Sequence, residues 1–441
     1  MAGKKKQAQL TPEEKLQQAL VPEAEQPYKV PTNWCWTYLK NVSDCLDNFR
    51  KPINANERNA RLGDVPYYGA TGQVGWIDDY LTNEELVLLG EDGAPFLDLL
   101  KNKAYLINGK AWVNNHAHIL RSKFGTMGNR LLIEYLNSFD FTGFVTGTTR
   151  LKLTQASMNK IIIPLVPLAE QQRIVERIES LFAKLDEAKE NMQNVLDGFE
   201  TRKAAILHKA FTGELTANWR KQHGISMDSW EEKALQEVCS SIYDGDHMPP
   251  PKSETGIPFL VISNVNTGYL SFENTRFVPE EYYNSLNMVR KPCKGDVLYT
   301  LVGSYGISVI VDTDRNFCFQ RHMALLKPKN IDTRYLWYTL QTQQTYEKAT
   351  KIATGTAQLT VPIKGLRQME IYVPTLQEQT EIVRIIDDLL AKEQQAKELA
   401  ENALAKIDLI KKSILARAFR GELGTNNPAD EPAVELLKRM L

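Results

Sequence analysis

The residues able to do chemistry in this chain do not stand at the spacings that chemistry requires. His116 and His118 lie two apart on an expected strand, with no carboxylate or cysteine at ligand spacing, and the six histidines do not cluster. The five cysteines, Cys35, Cys45, Cys239, Cys293 and Cys318, are scattered and never spaced Cys-x-x-Cys, which argues against a disulfide framework and against a zinc site. No Gly-x-x-x-x-Gly-Lys-Ser/Thr phosphate loop, Gly-x-Gly-x-x-Gly fingerprint or Gly-x-Ser-x-Gly elbow occurs. The Pro249-Pro250-Pro251 run is not the Asn/Asp-Pro-Pro-aromatic tetrapeptide that holds a target amine in adenine methyltransferases. The expectation is a chain that catalyses nothing alone and has no metal site.

What remains is a set of polar and aromatic loops suited to base edges or phosphates. In the first half these are Tyr67, Tyr68, Gly69, Thr71 and Gly72, then Asn114, Asn115 and His116, then Thr148, Thr149 and Arg150. In the second half they are Tyr243, Asp246 and His247; Ser263, Asn264 and Asn266; Ser304 and Tyr305; Gln320, Arg321 and His322; and Thr356 with Gln358. Asn and Gln can hold adenine through two hydrogen bonds, Arg reads guanine, and glycine lets backbone amides approach phosphate. Glycine-polar turns are usually only turns, so their weight comes from recurring in both halves.

That recurrence reflects an internal duplication. About 50 residues occur twice without a gap at an offset of 208, Leu168-Ala169-Glu170-Gln171 through Phe211-Thr212-Gly213-Glu214-Leu215 matching Leu376-Gln377-Glu378-Gln379 through Phe419-Arg420-Gly421-Glu422-Leu423. In each copy apolar residues step by four and three: Ile174, Ile178, Leu181, Leu185 in the first; Ile382, Ile386, Leu389 in the second. The spacing predicts two helices of about 40 residues, roughly 60 Å each, packed antiparallel on each other. Arg202 and Glu393 interrupt the stripes and are expected to fix register.

The flanking segments are related more weakly. Trp34/Trp230, Leu39/Leu235, Val42/Val238, His116/His322, Gly147/Gly355, Thr148/Thr356 and Leu151/Leu359 pair at drifting offsets, so one scaffold carries divergent loops. The expected organisation is a tail with a short helix from Thr11 over 1–30, a globular domain over 31–167, a helix over 168–216 and a linker over 217–229. A second domain over 230–375, a second helix over 376–424 and a tail over 425–441 follow. A strand is expected over Ala111–Leu120, and a hairpin from 296–302 to 307–311.

Composition sets the class. With 441 residues, 43% hydrophobic and 24% charged, the chain reads as a multidomain globular protein. No apolar run approaches a membrane span, and the basic opening Met1-Ala2-Gly3-Lys4-Lys5-Lys6 lacks the apolar stretch of a secretory signal, so a cytoplasmic location is expected. A net charge of −1 gives no bulk basic footprint, so nucleic-acid binding has to rest on local arrangement.

Over about 31 to 424 the chain resembles the specificity subunit of type I restriction–modification systems. The likeness rests on the two Leu-x-Glu-Gln openings, on Ala210-Phe211-Thr212-Gly213-Glu214-Leu215 and Ala418-Phe419-Arg420-Gly421-Glu422-Leu423, and on Tyr67–Gly72 and Trp112–His118. The resemblance implies two α/β (α+β) target-recognition domains separated by two long antiparallel coiled-coil helices, with pseudo-two-fold internal symmetry. It implies double-stranded DNA with a bipartite site as ligand. It also implies two methyltransferase subunits that carry S-adenosylmethionine and methylate adenine at N6, and restriction subunits that use ATP and Mg2+. No cofactor is expected on this chain. Glu170, Gln171, Phe211, Gly213, Glu214, Glu378, Gln379, Phe419, Gly421 and Glu422 become the expected partner-binding residues. A nuclease or methyltransferase with unfamiliar motifs, and a coiled-coil protein scaffold, are the competing readings.

Overall fold

The computed structural model describes residues 11–247 and 250–441; the basic opening residues and Pro249 of the proline run lie outside them. The chain divides into two compact units, one containing residues up to Met192 together with Asn402–Leu441, the other Gln193–Glu401.

In the first unit a four-stranded antiparallel sheet has the order Ser43–Cys45, Ala117–Ser122, Leu86–Gly90, Ala104–Ile107. Leu86–Gly90 is buried at all five positions because both its edges are paired and the helix Gly125–Ser138 covers the sheet. A second sheet, Gly72–Ile77, Val65–Gly69, Lys110–Val113, Thr82–Asn83, carries one parallel pairing, Tyr67–Tyr68 against Trp112–Val113. The expected strand over Ala111–Leu120 is therefore two strands in two sheets. Asn114 accounts for the break: its Oδ1 accepts the His116 amide at 2.8 Å, closing an Asx turn that redirects the chain.

The second unit repeats the plan. Its four-stranded sheet runs Cys239–Asp244, Met323–Pro328, Val297–Thr300, Ser308–Ile310, and the last two strands form the expected hairpin. Its parallel pairing joins Ile257–Leu260 to Cys318–Phe319. Each unit also has a two-stranded ribbon leading to its long helix, Cys35–Tyr38 with Ile162–Leu165 and Glu231–Ala234 with Glu370–Val373.

The second long helix is continuous over Leu376–Phe419, 44 residues. The first is broken, with Leu168–Asp197 followed by Phe199–Phe211 and Gly198 between them. Arg202 folds back there: its Nη2 donates to the Val195 carbonyl at 2.7 Å, and a Cβ on Gly198 would meet its Nη1. The Arg202 Nε donates to Glu393 at 2.7 Å, so the two residues that interrupt the apolar stripes answer each other. The helices run antiparallel within each unit. In the first, Ile174 and Ile178 share an apolar cluster with Leu415 and Phe419, and Lys411 meets Asp186 at 2.6 Å. In the second, Leu207 and Phe211 cluster with Ile382 and Ile386, and Lys397 lies over the Phe199 ring.

The Glu-Gln pairs of the two Leu-x-Glu-Gln motifs are buried, whereas Leu168 and Leu376 are exposed. Glu170 accepts hydrogen bonds from Trp34 Nε1 (2.7 Å), Asn426 Nδ2 (2.8 Å) and Thr425 Oγ1 (3.2 Å). Glu378 accepts from Trp230 Nε1 (3.1 Å), Thr216 Oγ1 (2.7 Å) and Arg220 Nη1 (2.6 Å). Gln171 and Gln379 donate to the carbonyls of Val166 and Pro374. Phe211 and Phe419 are core residues. Gly213 and Gly421 have positive φ and sit so close to Met227 and Pro31 that a Cβ would clash. Seven of these eight are buried inside the chain, which argues against a partner-binding role for them, and Gly421 is half-buried; of the ten expected, Glu214 and Glu422 are exposed.

The expected tails and linker are also structural. Thr11 opens the helix Pro12–Ala19 with a capping box to Glu14, as its sequence suggests, but Ala19 and Val21 are then buried and Thr37 Oγ1 donates to the Ala19 carbonyl at 2.7 Å. The helix Ala433–Lys438 places Ala433 and Leu437 in the first unit's core. Within the expected linker, the helix Ala217–His223 carries Arg220 to Glu378.

Removing one partner of a buried ion pair strands the other charge away from water. Arg220→Ala is therefore expected to lower the stability of the second unit by about 3 kcal/mol in denaturant unfolding; an unchanged midpoint would show that Glu378 does not depend on this cation.

Candidate nucleic-acid interface

In the first unit, the turn between the two sheets and the Val65–Gly69/Gly72–Ile77 hairpin border a cleft of about 360 Å³. Tyr67, Gly69, Thr71, Asn114, Asn115, His116 and Arg150, from three separate loops, line it together with Arg58 and Val74. Not all of them face outward. Tyr67 is buried under the Arg58 guanidinium, 5.0 Å from its ring, and Asn114 is buried as the turn's lock. Gly69 accepts the Tyr105 hydroxyl through its carbonyl, and Tyr68 packs against the Tyr105 ring. Gly72 makes the hairpin corner at φ 141°. Asn115, Thr148, Thr149 and Arg150 are exposed.

Charge beneath the cleft is arranged as a ladder that the sequence did not announce. Asp92 receives Arg150 Nη2 at 2.6 Å and faces His116 Nδ1 at 2.8 Å. Its neighbour Glu91 pairs with Arg50 and with Lys152 (3.0 Å). Arg50 also meets Asp47 (3.0 Å), which faces the buried His118 Nδ1 at 2.6 Å. His118 Nε2 faces the Leu153 carbonyl at 2.9 Å, so both ring nitrogens point at acceptors. Cys45, Asp47 and His118 approach closely enough to be considered as metal ligands, which their sequence spacing did not suggest. Both imidazole nitrogens are already used in hydrogen bonds, and burial pushes the Cys45 thiol up to about 11. The arrangement is that of a structural ion network.

Burial alone would raise the Asp47 and Glu91 carboxyls. Against burial, the largest single effect, His118, the Ile119 amide and Arg50 together hold Asp47 below its ordinary range, and Arg50, Lys152 and His118 together do the same for Glu91.

In the second unit the expected residues divide the same way. Asn264 is buried, donating to the Glu273 carbonyl and accepting the Val261 amide, and Tyr305 is buried in a stack on Tyr346 with centroids 5.4 Å apart. Both serve the fold. Tyr243 is partly exposed with the Arg367 guanidinium 4.6 Å from its ring centroid. Asp246 meets Tyr282 and Arg290, and His247 meets Asp244 at 2.8 Å. Ser263, Asn266, Ser304, Arg321, Thr356 and Gln358 are exposed; Gln320 and His322 are half-buried beside them. Sequence reasoning missed Arg50, Arg58, Glu91, Asp92, Arg290 and Arg367. The Glu91-Asp92-Gly93 turn was the one local signal, since the rest acquire meaning only through long-range pairing.

Two globular copies with equivalent sheets and different exposed side chains, each joined to a long helix, define a duplicated recognition protein. The sequence model of the family described as type I restriction modification DNA specificity domain matches residues 31–196 and 227–402, and the chain belongs to this family. The chain is 28% identical over 298 residues to the type I restriction enzyme EcoBI specificity subunit of Escherichia coli, an alignment spanning 64% of this chain and 62% of that subunit. It is 28% identical over 371 residues to a putative type I restriction enzyme specificity subunit of Haemophilus influenzae, covering 80% of this chain and 86% of that one. In fold it is similar to the HsdS subunit from Thermoanaerobacter tengcongensis, with a TM-score of 0.63, 20% identity, and coverage of 90% of this chain and all of the other. Among the described residues no helix is long and apolar enough to cross a membrane.

A carboxyl held low in the fold stabilises it above its unfolded pKa, and that contribution is lost as pH falls through the folded value. Arg50→Leu removes a cation from both Asp47 and Glu91, raising their folded values. The acid limb of the first unit's melting profile is therefore expected to begin at higher pH than in the wild type; superimposable profiles would refute the coupling.

Proposed function

We propose that this chain is the sequence-reading subunit of a type I restriction–modification complex, and that it supplies specificity without catalysing a reaction. The segments 31–167 and 230–375 each read one short tract of double-stranded DNA, and the helices over 168–216 and 376–424 join the two readers. The target is accordingly bipartite, two specified tracts around an unread spacer. Two methyltransferase subunits, carrying S-adenosylmethionine, methylate adenine at N6 within it. Flipping the adenine falls to them, since the methyl donor is theirs. Restriction subunits using ATP and Mg2+ complete the cleaving assembly, in the cytoplasm.

The observation that carries this reading is duplication with divergence: the same order of the central four-stranded sheet and the same long-helix junction occur twice, with different polar side chains on the exposed loops. Exposed side chains on a shared, rigid scaffold are where binding specificity is expected to vary. The near-neutral net charge is compatible with it, because phosphate affinity can be local and can be supplemented by partner subunits.

Mapping N6-methyladenine genome-wide with and without this gene should reveal one bipartite motif that depends on it. Replacing residues 31–167 by the matching segment of a relative should change one half of that motif and leave the other intact. Turnover by the purified chain alone would favour the enzymatic reading, and failure to retain DNA with methyltransferase partners present would favour the scaffold.

A further inference from the structure

The two units share one hydrogen-bonded turn, almost bond for bond. In the first, Thr146 pairs with Lys152 and encloses residues 147–151; in the second, Thr354 pairs with Thr360 and encloses 355–359. Gly147 (φ 103°) and Gly355 (φ 111°) open these loops, and a Cβ on either would stand 2.5 Å from a carbonyl oxygen, that of Arg150 or of Gln358. Each turn is fastened to the central sheet in the same way. Gly93 N donates to Leu151 O at 3.0 Å and Gly303 N to Leu359 O at 3.1 Å; Leu153 N donates to Glu91 O at 2.7 Å and Val361 N to Leu301 O at 2.9 Å. Glu91 N and Leu301 N in turn donate to the carbonyls of His116 and His322, both at 2.8 Å.

Equivalent positions on this fixed turn carry different side chains, Arg150 in one unit and Gln358 in the other. Each lies across a glycine of positive φ. A Cβ on Gly93 would stand 3.2 Å from Arg150 Nε, and one on Gly303 would stand 3.0 Å from Gln358 Nε2. The supporting residue is matched in charge. Asp92, bridged to Lys152, holds Arg150, whereas the residue bridged to Thr360 at the equivalent position is the neutral Val302. Both side chains remain exposed, Arg150 by 59% even with its carboxylate partner.

Resting on the proposed DNA-reading role, we infer that this duplicated turn is a base-reading element, with Arg150 reading a guanine and Gln358 an adenine. Arg offers a planar fork of donors to guanine O6 and N7, and Gln a donor and an acceptor to adenine N7 and N6. Asp92 beside the guanidinium repels a fully charged phosphate more strongly than the uncharged acceptor pair of guanine. An arginine pinned by a carboxylate and laid on a glycine loses little conformational freedom on binding, which is what discrimination at one base pair requires.

The test uses the full chain assembled with its methyltransferase subunits, comparing wild type, Arg150→Ala, Arg150→Lys and Gln358→Ala. The readouts are the N6-methyladenine motif in cells and affinity for duplexes changed at one base pair of the mapped target. Arg150→Ala and Arg150→Lys should each lose roughly 5- to 150-fold discrimination at a single G·C pair in one half of the motif, and Gln358→Ala should do the same at a single A·T pair in the other half. Wild-type motifs in variants with wild-type melting temperatures would overturn the assignment while leaving the bipartite reading intact. Uniform weakening across sequences, reversed by Arg150→Lys, would identify a phosphate contact and equally overturn it. A wild-type complex with no bipartite motif would instead remove the reading on which the assignment rests.

Discussion

A carboxylate buried at the start of each long helix is the constraint on which the architecture depends. Glu170 and Glu378 lie in the first turn, where backbone amides favour negative charge, and each is closed over by donors from elsewhere in the chain. The tryptophan donor precedes the first strand of that unit's ribbon, Trp34 in one unit and Trp230 in the other. The remaining donors follow the end of the other long helix: Thr425 and Asn426 for Glu170, Thr216 and Arg220 for Glu378. One acid thus ties together a globular domain, its own helix and the segment trailing the other helix. An acid with three neutral or charged donors is satisfied; an acid missing one of them is a buried, under-coordinated charge, which is why the motif tolerates little change.

The same economy separates scaffold from surface. Buried members of the recurring loops, Tyr67, Asn114, Asn264 and Tyr305, set the turns, and the exposed members, Asn115, Arg150, Ser304 and Gln358, are what those turns present. In the first unit the ion ladder from His118 through Asp47, Arg50 and Glu91 runs beneath the cleft. Adjacent to it, Asp92 holds the exposed Arg150. Partly buried carboxylates held ionised by cations make a stiff floor, and a stiff floor lets a side chain at the surface discriminate geometry rather than merely attract.

Much of the plan was legible in the sequence because it is local or periodic. The ungapped repeat exposed the two helices, the four-and-three spacing gave the packed positions Ile174, Ile178, Ile382 and Ile386 though not Leu181, Leu185 or Leu389, and the Gly303-Ser304-Tyr305-Gly306 turn between apolar runs gave the hairpin. Misreadings arose where distant residues decide. Glu170, Gln171, Glu378 and Gln379 are polar residues in a repeated motif, and so suggested a partner surface; their partners lie far away in sequence, and only the fold makes their burial possible. Ala111–Leu120 has the composition of one strand, yet a single Asn114 hydrogen bond divides it between two sheets. The four-and-three spacing predicts one continuous first helix, yet it breaks at Gly198, where Arg202, already an interruption of the apolar stripe, folds back to the Val195 carbonyl. The stretches at 11–30 and 425–441 lack a strong period but contribute Ala19 and Leu437 to the core.

Hydrogen exchange measured by mass spectrometry on the assembled complex, with and without its mapped target duplex, tests the account most directly. DNA should slow exchange in both recognition units together, at 147–150 and at 355–358, with the buried strands Leu86–Gly90 and Val297–Thr300 already protected in its absence. Protection confined to one unit, or to the long helices alone, would contradict the claim that this chain reads DNA with two copies of one device.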